Sequence, residues 1–444
     1  MGIPYYVASL LRKNKSIQQH YTTFEADAFG IDFNCFIHAV LDDMDPVGSI
    51  VRGLREYLAR ITCPRIFVAF DGLVPYAKIV QQRYRRFKKG GAAPVFDRHQ
   101  ISPETPYMIE LLRELKVAFP HVTFSGTDEP GEGEHKVFLW LRSLEPDCRK
   151  RIAVYGLDAD LVLIALAQRS LGDLYLLRDD DAFSIRALAG ALPMEVDTYV
   201  QTAILCFGND FMPTLAFYSL REDGHARALK YKIDDAAKHE TKILIERRKP
   251  GMCSKDGRAL EAQVGAHLLD GVVDWAPVCD AFWKTFKWTE EYFTTSRVPD
   301  WCWVYPYADA PLIQTLVDFS PAPYEIKWEH PTPPFHVTNQ LQVILPQASL
   351  KTARRRVRYP DEIYDESKDT RYPWMKRFAW ETDPYISVPW HPCYPLTSVT
   401  EIALPEYQSS GSAVETGASS TSDGCPRAAA RASRSSSGPR GSAR

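Results

Sequence analysis

The 444-residue chain lacks the features that would place it in several large classes. No apolar run reaches the roughly 18 residues needed to cross a bilayer as a helix, and no signal-peptide apolar segment stands at the N-terminus. Gly2 is followed by Tyr6, where a myristoylation motif wants Ser or Thr. The nine cysteines, from Cys35 to Cys425, contain no CxxC pair and no cysteine–histidine zinc spacing. That excludes a zinc-ribbon reading and disfavours a disulfide scaffold, leaving packed, reduced thiols. A formal net charge of −3 excludes global attraction to a polyanion, so any nucleic-acid binding must rest on local basic patches. These absences predict a soluble, intracellular protein, cytoplasmic or nuclear, with no membrane partner.

What is present centres on Val154-Tyr155-Gly156-Leu157-Asp158-Ala159-Asp160-Leu161. Two carboxylates stand between an apolar strand and an apolar helix, a costly arrangement unless a cation or a hydrogen-bond network satisfies them. Helix capping by Asp158 explains one acid and leaves Asp160 unaccounted for.

Phe29 to Phe33 read as a first strand, ending at Asp32, and Ile66 to Phe70 as a second, ending at Asp71. A helical stretch from about Val47 to Ile61 separates them. A basic, loop-like segment follows until Thr105-Pro106, an N-cap with proline at the first helical position. Val122 to Phe124 give a third strand, and a Gly-rich turn leads into a helix from about Glu134 to Leu144. Ile152 to Tyr155 are the fourth strand and Leu174 to Leu177 the fifth. Such alternation predicts a parallel α/β sheet. Beyond about Asp210 it stops: 221–271 are polar and helix-leaning, and Trp275 to Trp390 are rich in aromatics and proline. From 408 onward Ser, Ala, Gly and Arg dominate, the composition of a disordered tail.

In a parallel α/β sheet the functional crevice lies at the carboxyl ends of the strands. Asp32, Asp71, Glu132 with Glu134, and Asp158 with Asp160 follow four consecutive predicted strands, and Asp210 lies in Gly208-Asn209-Asp210-Phe211. Two carboxylates at contact distance repel by about 4 kcal/mol at an effective dielectric near 20. A cluster would therefore protonate or bind divalent cations. All-oxygen ligation favours Mg²⁺ or Mn²⁺, and two such ions suit phosphodiester hydrolysis.

Directly after Asp71, no acid interrupts Lys78 to Lys89. If this stretch is helical, Lys78, Gln82, Arg85 and Arg86 share one face, suited to a terminal phosphate or a nucleic-acid backbone. His38 follows Asp32 closely and is either a structural residue, the commoner role of a lone histidine, or, near a nucleotide site, a ring that stacks on a base. The run from Trp301 to Tyr307 is either core or a stacking surface. Arg354, Arg355, Arg356 and Arg358 form a further basic cluster with no acid motif beside it.

These motifs resemble the XRN family of 5′→3′ exoribonucleases. The resemblance is carried by Met1-Gly2-Ile3-Pro4, Ile31-Asp32-Phe33-Asn34, Phe70-Asp71-Gly72-Leu73-Val74-Pro75 and Lys78 with Gln81 to Phe87. It continues in Phe96-Asp97, Ile101-Ser102-Pro103, Pro130 to Lys136, Gly156 to Asp160 and Gly208 to Phe211, then returns in Trp301 to Leu312 and Gln340 to Pro346. It implies a PIN-like parallel-sheet nuclease core with helices on both faces, over 1–220, and a shortened helical and aromatic-rich second region over 221–407. The tail would occupy 408–444.

By the same resemblance, Asp32, Asp71, Glu132, Glu134, Asp158, Asp160 and Asp210 would be the catalytic, metal-holding acids, with Mg²⁺ or Mn²⁺, two ions, as cofactor. Lys78, Gln82, Arg85 and Arg86 would form a 5′-phosphate pocket too confined for a cap or triphosphate. His38 and one of Trp301 or Trp303 would stack on the first base. The implied substrate is single-stranded RNA with a 5′-monophosphate, degraded to mononucleotides in RNA decay. The short interval between Asp210 and Trp301 departs from cellular members and resembles the compact members of large DNA viruses. Two rival expectations stand beside this one: a structure-specific 5′ flap nuclease on DNA, and a catalytically inactive RNA-binding decoy.

Overall fold

The computed structural model describes residues 3, 5–87, 95–220, 223–246, 274–307, 310–319, 326–333 and 337–345. The Arg85 side chain, the cluster from Arg354 to Arg358 and the tail from 408 lie outside the described residues.

The chain runs α1 (Tyr6–Lys13), β1 (Gln18–His20), β2 (Phe24–Glu25), β3 (Ala28–Asp32), α2 (Phe33–Val40), α3 (Pro46–Leu58), β4 (Ile61–Thr62) and β5 (Ile66–Ala69). It continues through α4 (Tyr76–Phe87), α5 (Pro106–Ala118), β6 (Thr123–Ser125), α6 (Gly133–Ser143), β7 (Arg151–Tyr155), α7 (Leu161–Ala167), β8 (Asp173–Arg178) and β9 (Asp181–Ser184). The helices α8 (Ile185–Ala191), α9 (Val196–Phe207), α10 (Gly224–Lys230), α11 (Ile233–Glu246), α12 (Ala276–Thr295), α13 (Ile313–Asp318) and α14 (Val337–Ile344) follow.

Seven strands form the main sheet in the order β1-β9-β8-β7-β3-β5-β6. The five from β8 to β6 are parallel. Alternate residues of each strand serve opposite faces, as the strand period demands. Phe29, Ile31, Ala153 and Tyr155 enter a core with α2, α3 and α5. Ala28, Ile152 and Val154 enter a second core with α6, α7 and α9. That second core also takes in Phe282, Trp288, Tyr292, Leu341 and Ile344, so it is continuous across residue 220.

Local signals in the sequence explain several boundaries. Thr105 Oγ1 accepts from the Met108 N–H at 3.3 Å, with Pro106 in the first turn, and this starts α5. Asp45 and Pro46 do the same for α3. Three expectations are corrected. The basic segment after Asp71 is the helix α4, because Tyr76, Ala77 and Ile79 bury one side of it. Phe33 opens α2 rather than closing the first strand. The edge of the sheet is antiparallel: a two-residue hairpin at Asp179-Asp180, with Asp179 at φ 49°, joins β8 to β9, and β1 pairs antiparallel with β9. Among the described cysteines, Cys35, Cys63, Cys148, Cys206 and Cys279 are free thiols, whereas Cys302 is disulfide-bonded, which the spacing did not signal. No helix among the described residues is long and apolar enough to cross a membrane.

Candidate metal centre

The strand order places a topological switch point between β3 and β7: the chain proceeds from β3 to β5 and β6 on one side, and from β7 to β8 on the other. Loops at the carboxyl ends of the strands diverge there and leave a crevice. Asp32 closes β3 and is buried. Asp71 follows β5, Glu132 and Glu134 flank the start of α6, and Asp158 and Asp160 join β7 to α7. Asp210 arrives from the loop after α9. Asn209 Oδ1 shapes that loop by accepting from the N–H groups of Phe211 at 2.8 Å and Met212 at 3.1 Å.

The acids differ in how they are satisfied. Asp71 is held on both oxygens, by Asn34 Nδ2 at 2.9 Å and by the Gly133 N–H at 2.8 Å. Asp32 Oδ2 accepts from Cys35 Sγ at 2.8 Å, but Asp32 Oδ1 and Asp160 Oδ1 are buried with no hydrogen-bond partner. Orphaned buried carboxylate oxygens are costly. Donor atoms of Glu134, Asp158 and Asp160 lie within 4.8 Å of one another. Burial, then repulsion from Asp71, pushes Asp32 up to about 8. Burial, then Asp210 and Asp158, pushes Asp160 up to about 7. Glu134 is raised well above the usual range by burial and by Asp160. These oxygens fit a divalent cation, which would supply the missing partners and cancel the repulsion. The side-chain-free Gly133 is required here: a Cβ would lie 2.6 Å from Asp32 Oδ1 and 2.9 Å from the Ala69 carbonyl. The capping reading of Asp158 gives way, since Asp160 occupies the N-cap of α7 and its side chain makes no cap bond.

The cationic face of α4 borders this cluster. Lys78 is buried, with Nζ 2.5 Å from Asp210 and 2.6 Å from Glu132. Burial opposes its charge, and the acids outweigh it, so its pKa lies well above the usual value. Gln81 Nε2 donates to Asp210 Oδ1. Gln82 is buried and accepts from Gln340 Nε2 at 3.2 Å. Arg86 donates from Nε to Ser102 Oγ at 3.1 Å.

A family model described as the XRN 5′-3′ exonuclease N-terminus matches residues 1–94 and 91–180. Residues 1–180 of this chain are thus similar to the N-terminal region of the XRN family. Human 5′-3′ exoribonuclease 1 is 31% identical over 232 residues, which are 41% of this chain and 14% of the human protein. The Saccharomyces cerevisiae protein of the same description is 32% identical over 154 residues, 27% of this chain and 10% of that one. A solved structure, the catalytic core of Rad2 in complex with DNA substrate, covers 52% of this chain and 71% of its own at 16% identity and a TM-score of 0.34. That likeness is too loose to carry an argument.

Several groups that build the site carried no sequence signal of their own: Tyr292 lies outside the family-matched residues, whereas His135, Lys136 and Asn34 lie inside them. Tyr292 of α12 is buried and donates its hydroxyl to Glu132 Oε1 at 3.0 Å. The His135 ring stacks on Tyr292 at 3.6 Å with neither ring nitrogen hydrogen-bonded, and burial keeps it neutral. Lys136 Nζ donates to the Phe70 and Gly126 carbonyls at 2.8 Å each, and burial brings it down to about 8. Asn34 was legible only as a neighbour of Asp32.

His38 is exposed on α2. Trp301 is buried, and its carbonyl accepts from the Tyr76 N–H at 2.9 Å at the start of α4. Trp303 is half-buried, donates Nε1 to Thr285 Oγ1 at 3.1 Å and has Lys284 Nζ 4.1 Å from its ring centroid. Both tryptophans therefore have packing duties. A second grouping, Asp300, Cys302 and His330, offers no thiolate, because Cys302 is in a disulfide.

Proposed function

We propose that this chain is a metal-dependent 5′→3′ exoribonuclease acting on single-stranded RNA with a 5′-monophosphate and releasing mononucleotides, processively or distributively. One observation carries the reading: buried, unpartnered carboxylate oxygens of Asp32 and Asp160 converge with five further acids beside a cationic helix face. Asp32, Asp71, Glu132, Glu134, Asp158, Asp160 and Asp210 would hold divalent ions, two of Mg²⁺ or Mn²⁺. Bound there, such ions supply Lewis-acid stabilisation of charge on the attacking and leaving oxygens.

The protein's own groups would do the rest. Asn34 and the Gly133 N–H orient Asp71, and Tyr292 orients Glu132. Lys78, Gln82, Arg85 and Arg86 would bind the terminal phosphate through charge-assisted hydrogen bonds. His38 would stack on the first base; of the two tryptophans, Trp303 is the less buried and is reached once Lys284 moves off its face. Residues 1–220 are read as the nuclease unit, 221–407 as a second region that completes the site, and 408–444 as a tail. The setting would be RNA decay in cytoplasm or nucleus.

The test is a time course on end-labelled RNA carrying 5′-monophosphate, 5′-hydroxyl or 5′-triphosphate, with Mg²⁺ or EDTA, and on a DNA flap. Mononucleotides released from the monophosphate RNA alone, and only with metal, are expected. Cleavage of the flap in preference to RNA, or RNA binding without any cleavage, would overturn the proposal.

A further inference from the structure

Of the four residues read as the phosphate pocket on α4, Gln82 is the neutral one, and its amide offers a donor at one end and an acceptor at the other. Which end faces the ligand decides whether the residue attracts or repels an anion. An amide's orientation is set by its hydrogen-bond partners. Here the partners fix it. The Val74 backbone N–H can only donate, and it donates to Gln340 Oε1 at 2.9 Å. Gln340 thereby has only its NH₂ left for its other neighbour, and it donates from Nε2 to Gln82 Oε1 at 3.2 Å. Gln82 in turn has its oxygen committed, and its own NH₂ donates to no group among the described residues. Gln340 is fully buried, Gln82 is 6% exposed, and α14 packs against α4. The three groups form a one-way relay that begins at a backbone N–H and ends in a donor on the same helix face as Lys78 and Arg86.

We propose that Gln340 is a positioning residue that fixes the polarity of Gln82, so that the pocket presents an N–H donor and selects a terminal phosphate over a hydroxyl. This rests on the phosphate-pocket reading above. Gln340 lies 258 residues from Gln82, so the second region would tune end selectivity without touching RNA.

The full-length chain would be assayed with Mg²⁺ as wild type, Gln340→Glu, Gln82→Met and the double variant, comparing kcat/KM on 5′-monophosphate and 5′-hydroxyl RNA. In Gln340→Glu one carboxylate oxygen still accepts from Val74, and the other now requires a donor. Gln82 must then turn its oxygen into the pocket. The monophosphate-to-hydroxyl ratio should fall about tenfold or more, mainly through KM for the monophosphate RNA, as expected when a hydrogen bond to a charged group is replaced by a repulsive oxygen. In the Gln82→Met background the same substitution should change the ratio no further, the non-additivity of residues acting through one another. Gln340→Met, which leaves the Gln82 amide free to turn, should lower the ratio less than Gln340→Glu, and it serves should the buried carboxylate prevent folding. A wild-type ratio in both Gln340 variants, or effects that multiply independently of Gln82, would overturn the relay while leaving the pocket reading intact. A wild type indifferent to the 5′ end would overturn both.

Discussion

Lys78 Nζ sits 2.5 Å from an Asp210 oxygen, inside the acidic cluster rather than at its edge. It also reaches Glu132 at 2.6 Å, so this ammonium neutralises two of the acids expected to hold divalent ions. Removing one partner of a buried ion pair strands the other charge. Lys78→Met should therefore lower stability in EDTA by about 3–5 kcal/mol, and by clearly less in Mg²⁺, which supplies cations to the same carboxylates. Chemical denaturation in the two buffers checks this. Equal losses in both would separate Lys78 from the metal centre.

Asp160 carries a buried oxygen with no partner and a pKa pushed up to about 7 by burial and neighbouring acids. Asp160→Asn removes a repelling charge, so melting in EDTA should occur at a higher temperature than in wild type. The Mg²⁺-induced rise in Tm should shrink and cleavage should be abolished. Asp158→Ala should likewise abolish cleavage while RNA binding survives, measured by fluorescence anisotropy. Retained cleavage in either variant would remove that residue from the metal-holding set.

Stability in EDTA should fall as pH rises from about 4 to about 8. Asp32 and Asp160 take up protons in the folded state near pH 8 and pH 7, against an ordinary carboxylate value of 3.8. The folded state therefore binds the extra protons between those limits, and the stability they confer is lost as pH climbs through the folded values. Mg²⁺ binding releases the protons, so the slope should flatten or reverse in its presence. A Tm in EDTA that rises over the same window would contradict the burial described above.

Tyr292 donates to Glu132 at 3.0 Å and stacks on His135, which makes it a positioning residue. Tyr292→Phe keeps the stack and deletes one hydrogen bond to an acid, worth about 1.5–3 kcal/mol. The Mg²⁺ concentration for half-maximal rate should rise several-fold, with KM for RNA little changed. A shift in KM alone would place the hydroxyl's importance elsewhere.

The acidic motifs were legible in the sequence because chemistry and topology speak together there. Asp32 after Phe29-Gly30-Ile31 and Asp158 after Ile152 to Tyr155 each follow a continuously apolar segment, as strands buried on both faces require. Strands β3, β5, β6, β7 and β8 were read to within a residue or two. The antiparallel edge was not, because a three-residue strand such as β1 with an exposed Gln18-Gln19-His20 carries no alternation to detect. Helix α4 was hidden because its apolar contacts are made by a first turn that follows Pro75, while the rest is basic.

Amino-acid order alone determined the sheet's parallel core, the acids at its carboxyl edge, and the cationic stretch after Asp71, since each is a local pattern of residue types. Tertiary structure decided the rest. It placed Lys78 among the acids, brought Tyr292 onto Glu132, set Gln340 behind Gln82, and drew Trp301 into the core. These are contacts between segments far apart in the chain, fixed by which apolar faces of α12 and α14 bury against α7, α9 and α4. No local pattern encodes such a pairing, because side-chain packing and hydrogen-bond satisfaction are settled only when the whole core closes.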